Sequence, residues 1–303
     1  MYYAAQEGFP RYSAVLSMTP CACTPFLRRS LLGLLICLLL PCTSRAQPDP
    51  DPLRLLNPRQ VGDNFLYVVS TPTRMETADY LRLVGFAGLT TSVIAALDRP
   101  IYRHAHGAGA PPTTRIPHDL ASLGRVYDQI GPSNFVFGAA GALAAGGLIT
   151  RDNKSIRTSI RMMEAVLFTQ LITGALKETI GRARPFTGQG PMHAELLDIE
   201  FSNGHAARSM PSGHTSKIFA AASVVAHQYD SWWVKAPVYA TAASAGIQRI
   251  ESGKHWFSDV VLGAALGYFV GAALTSEGAQ PKRRGLVYDP ILSFRSVGLS
   301  VRF

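Results

Sequence analysis

Beyond residue 80 the chain alternates long apolar segments with short polar breaks. The segments run Leu81–Leu97, Phe135–Ile149, Met162–Leu176, Ser216–His227, Ala236–Ile247 and Val260–Leu274. Ala and Leu dominate them, and no period-2 alternation appears between residues 80 and 275. They predict an all-α bundle of about six core helices in one domain, residues 81–277. No internal repeat is visible. A polar arm, residues 47–80, opens with Asp49-Pro50-Asp51-Pro52 and is expected to hold a helix near Val61–Val69. Arg99 to Pro117 is rich in Gly, Pro, His and Arg and reads as a loop. The tail, 278–303, differs in pattern. From Tyr288 to Phe303 it shows partial alternation ending on an aromatic residue, the pattern of a barrel strand. A lone strand has no partners, so a short β arm or a disordered end is the expectation.

The start of the chain has its own pattern. Arg28-Arg29, the apolar run Leu31 to Leu40 and Ser44-Arg45-Ala46 describe a secretory signal peptide over residues 1–46, with Met18 a candidate start. The apolar run is short for a membrane span. An uncleaved anchor is the alternative, and Pro41 before Cys42 argues against a lipoprotein signal. All four cysteines (Cys21, Cys23, Cys37, Cys42) fall in this presequence. An exported chain processed there would have neither disulfides nor thiol chemistry. Residues 1–46 carry four arginines and one glutamate, so their removal leaves +6 of the formal charge of +9. That excess suits an anionic substrate or membrane surface. There is no dense basic strip with interleaved aromatics, which excludes nucleic acid as the expected partner.

Charge also bears on the membrane. Arg151, Lys154, Arg157 and Arg161 precede the third segment, Lys235 the fifth, and Lys282-Arg283-Arg284 follow the sixth. The positive-inside rule would then put the opposite ends outside. Against spanning, Ser216–His227 and Ala236–Ile247 are near 12 residues, whereas a span needs ~20. If residue 47 is translocated and all six segments cross, those opposite ends face the cytoplasm. Either Leu81–Leu97 does not cross, or the bundle is soluble or only membrane-associated. Both stay open at this point.

The candidate chemistry centres on Pro211-Ser212-Gly213-His214-Thr215, which reads as a turn opening a helix. Pro211 suits the first helical position. Ser212 and Thr215 offer hydroxyls to the free amides of the first turn. Gly213 removes a Cβ that would keep a ligand from the backbone, and a helix N-terminus favours an anion. His214 beside it could transfer a proton at a phosphoester oxygen. Taken alone this is more often helix capping than catalysis. Two flanking groups change the weight. Upstream, Lys177 is followed after six residues by Arg184-Pro185. Downstream, Arg249 is followed after five residues by His255 and after three more by Asp259. Lys177 and Arg184 lie two helical turns apart and would share a face if the helix reaches Arg184. His255 and Asp259 are at i and i+4, so the carboxylate can hold one ring nitrogen and free the other as a nucleophile. Individually, each cation reads as a solvated helix end. Jointly, in this order, they read as one anion site.

These three groups resemble the motifs of the type 2 phosphatidic acid phosphatases, which share a fold with bacterial class A acid phosphatases and vanadium haloperoxidases. The resemblance covers about residues 130 to 275. Its one departure is Gln248, where the family usually has serine; a Gln amide could replace the lost hydroxyl contact to phosphate. The resemblance implies that His255 attacks phosphorus and carries a phosphohistidine, that Asp259 orients it, and that His214 protonates the leaving oxygen. It also implies that Lys177, Arg184 and Arg249 hold phosphate with the Ser212 and Gly213 amides, without metal or cofactor. Asp259 is too isolated from other carboxylates to suggest Mg²⁺. The expected activity is a phosphatase acting on a phosphomonoester or diphosphate, the expected partners being a membrane lipid or a small phosphoester, with the site facing the periplasm. The alternatives are a soluble periplasmic acid phosphatase, a vanadate-dependent haloperoxidase, or a non-enzymatic binding module.

Other residues read as bland. His104 and His106 lack a third ligand, Met162-Met163 is core packing, and Trp232-Trp233 either marks a membrane interface or covers a bundle end. Arg182 and Arg208 read as surface charge that could widen an anion funnel. His205 could line the substrate entrance.

Overall fold

The computed structural model describes residues 55–106, 118–197, 208–276, 287–293 and 296–302. The signal-peptide reading, the four cysteines, the Asp49–Pro52 stretch and His205 lie outside them. The fold is the expected all-α helical bundle. Its helices are α1 (Pro58–Val69), α2 (Thr77–Ala96), α3 (Asp98–His106), α4 (His118–Ile130), α5 (Pro132–Thr150), α6 (Asn153–Ile180), α7 (Gly213–Gln228), α8 (Trp232–Glu251) and α9 (Phe257–Thr275). All six apolar segments are helical. Two helices were not anticipated. The expected Arg99–Pro117 loop is helical through His106, and α4 carries Leu120, Leu123, Tyr127 and Ile130 at helical spacing. The tail forms an antiparallel hairpin of β1 (Val287–Ser293) and β2 (Ser296–Arg302), in register from Val287↔Arg302 to Ser293↔Ser296. The expected β arm therefore has a partner, supplied by the residues just before it.

Local chemistry sets the boundaries. At α1, the Asn57 side chain accepts from Arg59 N–H at 3.0 Å and Pro58 occupies the first turn. At α6, Asp152 accepts from Lys154 N–H at 3.0 Å. Gly181 ends α6 at φ 56°, and a Cβ there would lie 2.0 Å from the Glu195 carbonyl oxygen, so glycine is required twice over.

The core is formed where α5, α6, α7, α8 and α9 meet, around Val136, Phe168, Val224, Ala242 and Val270, with Tyr127 of α4 added. The seam between α7 and α9 is the closest. Cβ atoms added at Gly263, Gly267 and Gly271 would lie 2.6, 2.1 and 2.6 Å from the carbonyl oxygens of Ser212, Ser216 and Ala220. Glycine at every fourth residue thus lets two helix backbones touch along three turns. Met162 is buried as expected, but Met163 is exposed. Helices α5 and α9 are long and apolar enough to cross a membrane, and so is the pair α2–α3 if its 43° bend lies within one span. Their outer faces carry large exposed apolar side chains, including Leu81, Val84, Ile149 and Phe269. Trp232 and Trp233 stack with ring centroids 3.7 Å apart and are mostly exposed.

Candidate functional site

The site forms where the end of α6, the start of α7, the end of α8 and the start of α9 converge. Lys177 lies in the last turn of α6. Since Gly181 stops that helix, Arg184 is not on its face as the spacing suggested; it sits in extended backbone (φ −81°, ψ 158°) before Pro185. Bonds from Ala183 N–H to the His193 carbonyl and from Trp256 Nε1–H to the Ala183 carbonyl (2.9 Å) hold this segment in place. Among the described residues no carboxylate makes an ion pair with Lys177 or Arg184, and the half-buried Arg184 leaves its Nε without a partner. Two partly buried cations without an ion-pair partner are suited to receive an anion. Burial, reinforced by Arg184, lowers Lys177 to about 8.

Helix α7 begins at Gly213, so the amides of Gly213, His214 and Thr215 precede the first intrahelical bond, from Ser216 N–H to the Ser212 carbonyl. The Ser212 amide was expected to hold phosphate. It instead donates to the Asp259 carbonyl at 2.9 Å, tying α7 to α9. The Ser212 and Thr215 hydroxyls bond each other at 3.0 Å rather than capping the helix. A Cβ at Gly213 would lie 3.7 Å from Lys177 Nζ, an ordinary contact. Glycine there keeps space open beside the lysine and is not needed to avoid a clash.

His255 also lies off the helix. It precedes α9, its N–H donating to the Arg249 carbonyl at 3.3 Å. Asp259, in the first turn of α9, accepts from Trp256 N–H at 2.9 Å through Oδ2. The same oxygen accepts from the Ser209 hydroxyl and faces His255 Nδ1 at 3.6 Å. Asp259 therefore faces His255 from a helix cap rather than a shared face, and at 3.6 Å it leaves the buried Nδ1 without a hydrogen-bond partner. His255 is almost fully buried. Burial lowers it to about 4, with Lys177 and Arg184 adding to the shift and Asp259 opposing it. Burial thus favours the neutral imidazole at pH 7.

Asp128 of α4 was missed by the sequence reading. It lies 3.2 Å from His214 Nε2, pairs with Arg249 Nη1, and accepts from Gln248 Nε2 at 3.3 Å. Lys254 Nζ is 3.5 Å away. Gln248 and Arg249, both expected on phosphate, are thus turned toward Asp128 in the free site. Burial opposes ionisation of Asp128, but Arg249, Lys254 and His214 outweigh it and hold the carboxyl below its usual range. Burial and Arg249 lower His214 to about 3 against the pull of Asp128. Tyr127 supports the histidine from the same helix, its hydroxyl donating to the His214 carbonyl at 2.9 Å. An acid on a 3.6-period face one residue from a core tyrosine was the available signal.

Arg182 is not surface charge. It is 2% exposed and bridges Asp259 Oδ1 (2.6 Å) and Asp98 Oδ2 (2.7 Å). Asp259 is therefore close to a second carboxylate, contrary to the expected isolation. Arg208 does pair at the surface, with Glu178 at 2.9 Å. His104 is exposed, whereas His106 bonds the Glu251 carbonyl at 2.9 Å and stacks on Tyr102. Among the described residues no three His, Cys, Asp or Glu side chains are grouped to hold a metal.

Residues 159–279 match the PAP2 superfamily. A lipid A 1-phosphatase of Porphyromonas gingivalis is 45% identical over 71 residues, 23% of this chain and 16% of that protein. A lipid A 1-phosphatase of Rhizobium etli is 34% identical over 112 residues, 35% of this chain and 44% of that protein. The chain thus spans less than half the length of these curated relatives. Among solved structures, Aquifex aeolicus LpxE is 24% identical with a TM-score of 0.42, covering 59% of this chain and 94% of that one. A transmembrane PAP2 type phosphatidylglycerolphosphate phosphatase from Bacillus subtilis is 20% identical with a TM-score of 0.46, covering 63% and 91%. The segment that matches the PAP2 superfamily, residues 159–279, holds Lys177, Arg184, His214, Arg249, His255 and Asp259.

Proposed function

We propose that the chain is a metal-independent phosphatase that removes phosphate from a membrane-lipid phosphomonoester or diphosphate through a phosphohistidine on His255. The observation that carries this reading is the neutral, buried His255 beside Lys177 and Arg184, two cations without carboxylate partners. The His255 Nε2 lone pair attacks phosphorus and the phosphorus–oxygen ester bond breaks. His214 gives its proton to the departing oxygen. Water then adds to phosphorus, the phosphorus–nitrogen bond breaks, and His214 takes the water proton.

In the free site His214 is neutral. A bound phosphate beside it adds negative charge to that of Asp128 and stabilises the imidazolium that the first step needs. Lys177, Arg184 and the Gly213 and His214 amides hold the equatorial oxygens. Arg249 joins them by sharing its guanidinium between Asp128 and phosphate. The apolar outer faces of α2, α5 and α9 and the names of the relatives support a lipid substrate. In this reading residues 1–46 export the chain, residues 81–277 form the catalytic domain, and the site faces the periplasm.

The test is phosphate release by purified protein in EDTA, comparing phosphatidic acid and a polyprenyl diphosphate in detergent with a soluble aryl phosphate. Turnover of the lipids, lost in His255→Ala, is expected. Equal or better turnover of the aryl phosphate would indicate a general acid phosphatase. Activity retained by His255→Ala, or lost in EDTA and restored by Mg²⁺, would overturn the mechanism.

A further inference from the structure

We propose that Asp98 and Arg182 are positioning residues that fix the Asp259 carboxylate against His255. The inference rests on the phosphatase reading above, in which His255 is the nucleophile. Asp98, Arg182 and Asp259 are 1%, 2% and 0% exposed. Each oxygen of Asp259 has its own task. Oδ2 accepts from Trp256 N–H and the Ser209 hydroxyl and faces His255, while Oδ1 is taken by Arg182. Without Arg182, Oδ1 would be a buried oxygen without a partner, and only the Trp256 and Ser209 bonds to Oδ2 would keep the carboxylate turned toward the ring.

Arg182 is itself immobilised. Its Nε and Nη2 donate to the Pro191 carbonyl at 2.8 and 2.6 Å, and its Nη1 donates to the Ser258 hydroxyl at 2.7 Å. Asp98 closes the network. It accepts from Arg182, from the Ser258 hydroxyl at 2.6 Å and from Ser258 N–H at 2.8 Å. Two carboxylates sharing one guanidinium in a dry interior is a poor source of stability compared with apolar packing. Its position, one residue removed from the nucleophile's partner, gives it a use in orientation. A chain of hydrogen bonds thus runs from the start of α3 to the Asp259 carboxylate, which faces the His255 ring at 3.6 Å.

The titratable groups facing His255 are Asp259 from α9, Lys177 from α6, Arg184 from the loop after it, and the neutral His214 from α7. Arg182 offsets Asp259, and Asp98 offsets Arg182. Removing the Arg182 charge strengthens the hold of Asp259 on a proton at His255, so Arg182→Gln moves the acid limb of kcat/KM to higher pH. Removing the Asp98 charge leaves Arg182 less compensated, so Asp98→Asn moves that limb to lower pH.

The experiment measures kcat, KM, the pH profile and orthovanadate inhibition for the full chain and these two variants, with His255→Ala as the reference for lost chemistry. Both variants are expected to lose roughly 10–100-fold in kcat, as for other outer-shell partners, with KM and the vanadate inhibition constant within about threefold. The acid limbs are expected to shift in opposite directions. Ser258→Ala, which removes only the hydroxyl shared by Arg182 and Asp98, is a gentler perturbation if either variant fails to fold, and should lower kcat by a smaller factor. Wild-type kcat in any variant that folds, or acid limbs that do not separate, would overturn the proposal. No His255-dependent phosphate release from the wild-type chain would instead overturn the phosphatase reading on which it rests.

Discussion

Replacing Gly267 by alanine tests whether the seam between α7 and α9 holds the site together. The added Cβ would sit 2.1 Å from the Ser216 carbonyl oxygen and 2.8 Å from the Ala220 nitrogen. Carbon–oxygen contacts settle near ~3.3 Å, so the two backbones must part by about 1 Å. Neither obstacle is a side chain that could swing aside. Overpacking of this kind costs roughly 1–3 kcal/mol, while alanine regains about 1 kcal/mol of helix propensity. The net loss of roughly 0–2 kcal/mol corresponds to a melting temperature lower by up to about 8 °C in a chain of this size. Activity should suffer more than stability, because the same seam carries the Ser212 N–H bond to the Asp259 carbonyl. A misplacement of ~1 Å at a reacting centre can cost about 10²-fold. Gly138→Ala on α5 is the control. A Cβ there meets nothing within 4 Å, so only propensity acts and stability should rise slightly. Circular-dichroism melts in detergent and kcat on one lipid phosphate would decide. Gly267→Ala melting at or above the wild type with undiminished kcat would refute the reasoning.

Asp128→Asn removes the negative charge beside His214, so the imidazolium that protonates the leaving group becomes less stable. We expect kcat to fall ~10–100-fold for an alkyl phosphate and much less for p-nitrophenyl phosphate, whose leaving group needs no proton; equal losses would remove Asp128 from the acid's environment. Lys177 is lowered to about 8 by burial and Arg184, so its charge is lost as pH rises through that value. KM should therefore climb above pH 8, and Lys177→Arg should abolish that limb; an unchanged limb would assign it to another group. The acid side has the opposite origin. His255 is held at about 4 by burial, so kcat/KM should stay flat from neutral pH down toward 4 and fall only as the nucleophile is protonated; a loss centred on pH 6.5 would contradict its burial.

Much of the site was legible because its groups come in contiguous stretches with fixed spacing, and the apolar segments gave the helices that carry them. The errors lie at helix ends. The spacing of Lys177 and Arg184 suggests one helical face, but Gly181 in the left-handed region breaks it. The spacing of His255 and Asp259 suggests another, but α9 starts only after His255. Both pairs still converge on the candidate site, since a loop and a cap can meet the same distances. Asp98 and Asp128 were not legible as functional. Each is a single acid in an upstream helix, and only the tertiary fold shows what it faces.

Those two carboxylates bear on where this chain can be cut. The family match begins at residue 159, yet Asp98 under Arg182 and Asp128 against His214 and Arg249 both come from the chain before it. A fragment excised at that boundary would keep every motif residue while leaving Arg182 with a single carboxylate and Arg249 with none. On the proposed reading the unit to be kept intact begins no later than α3, some 60 residues ahead of the segment that matches the PAP2 superfamily.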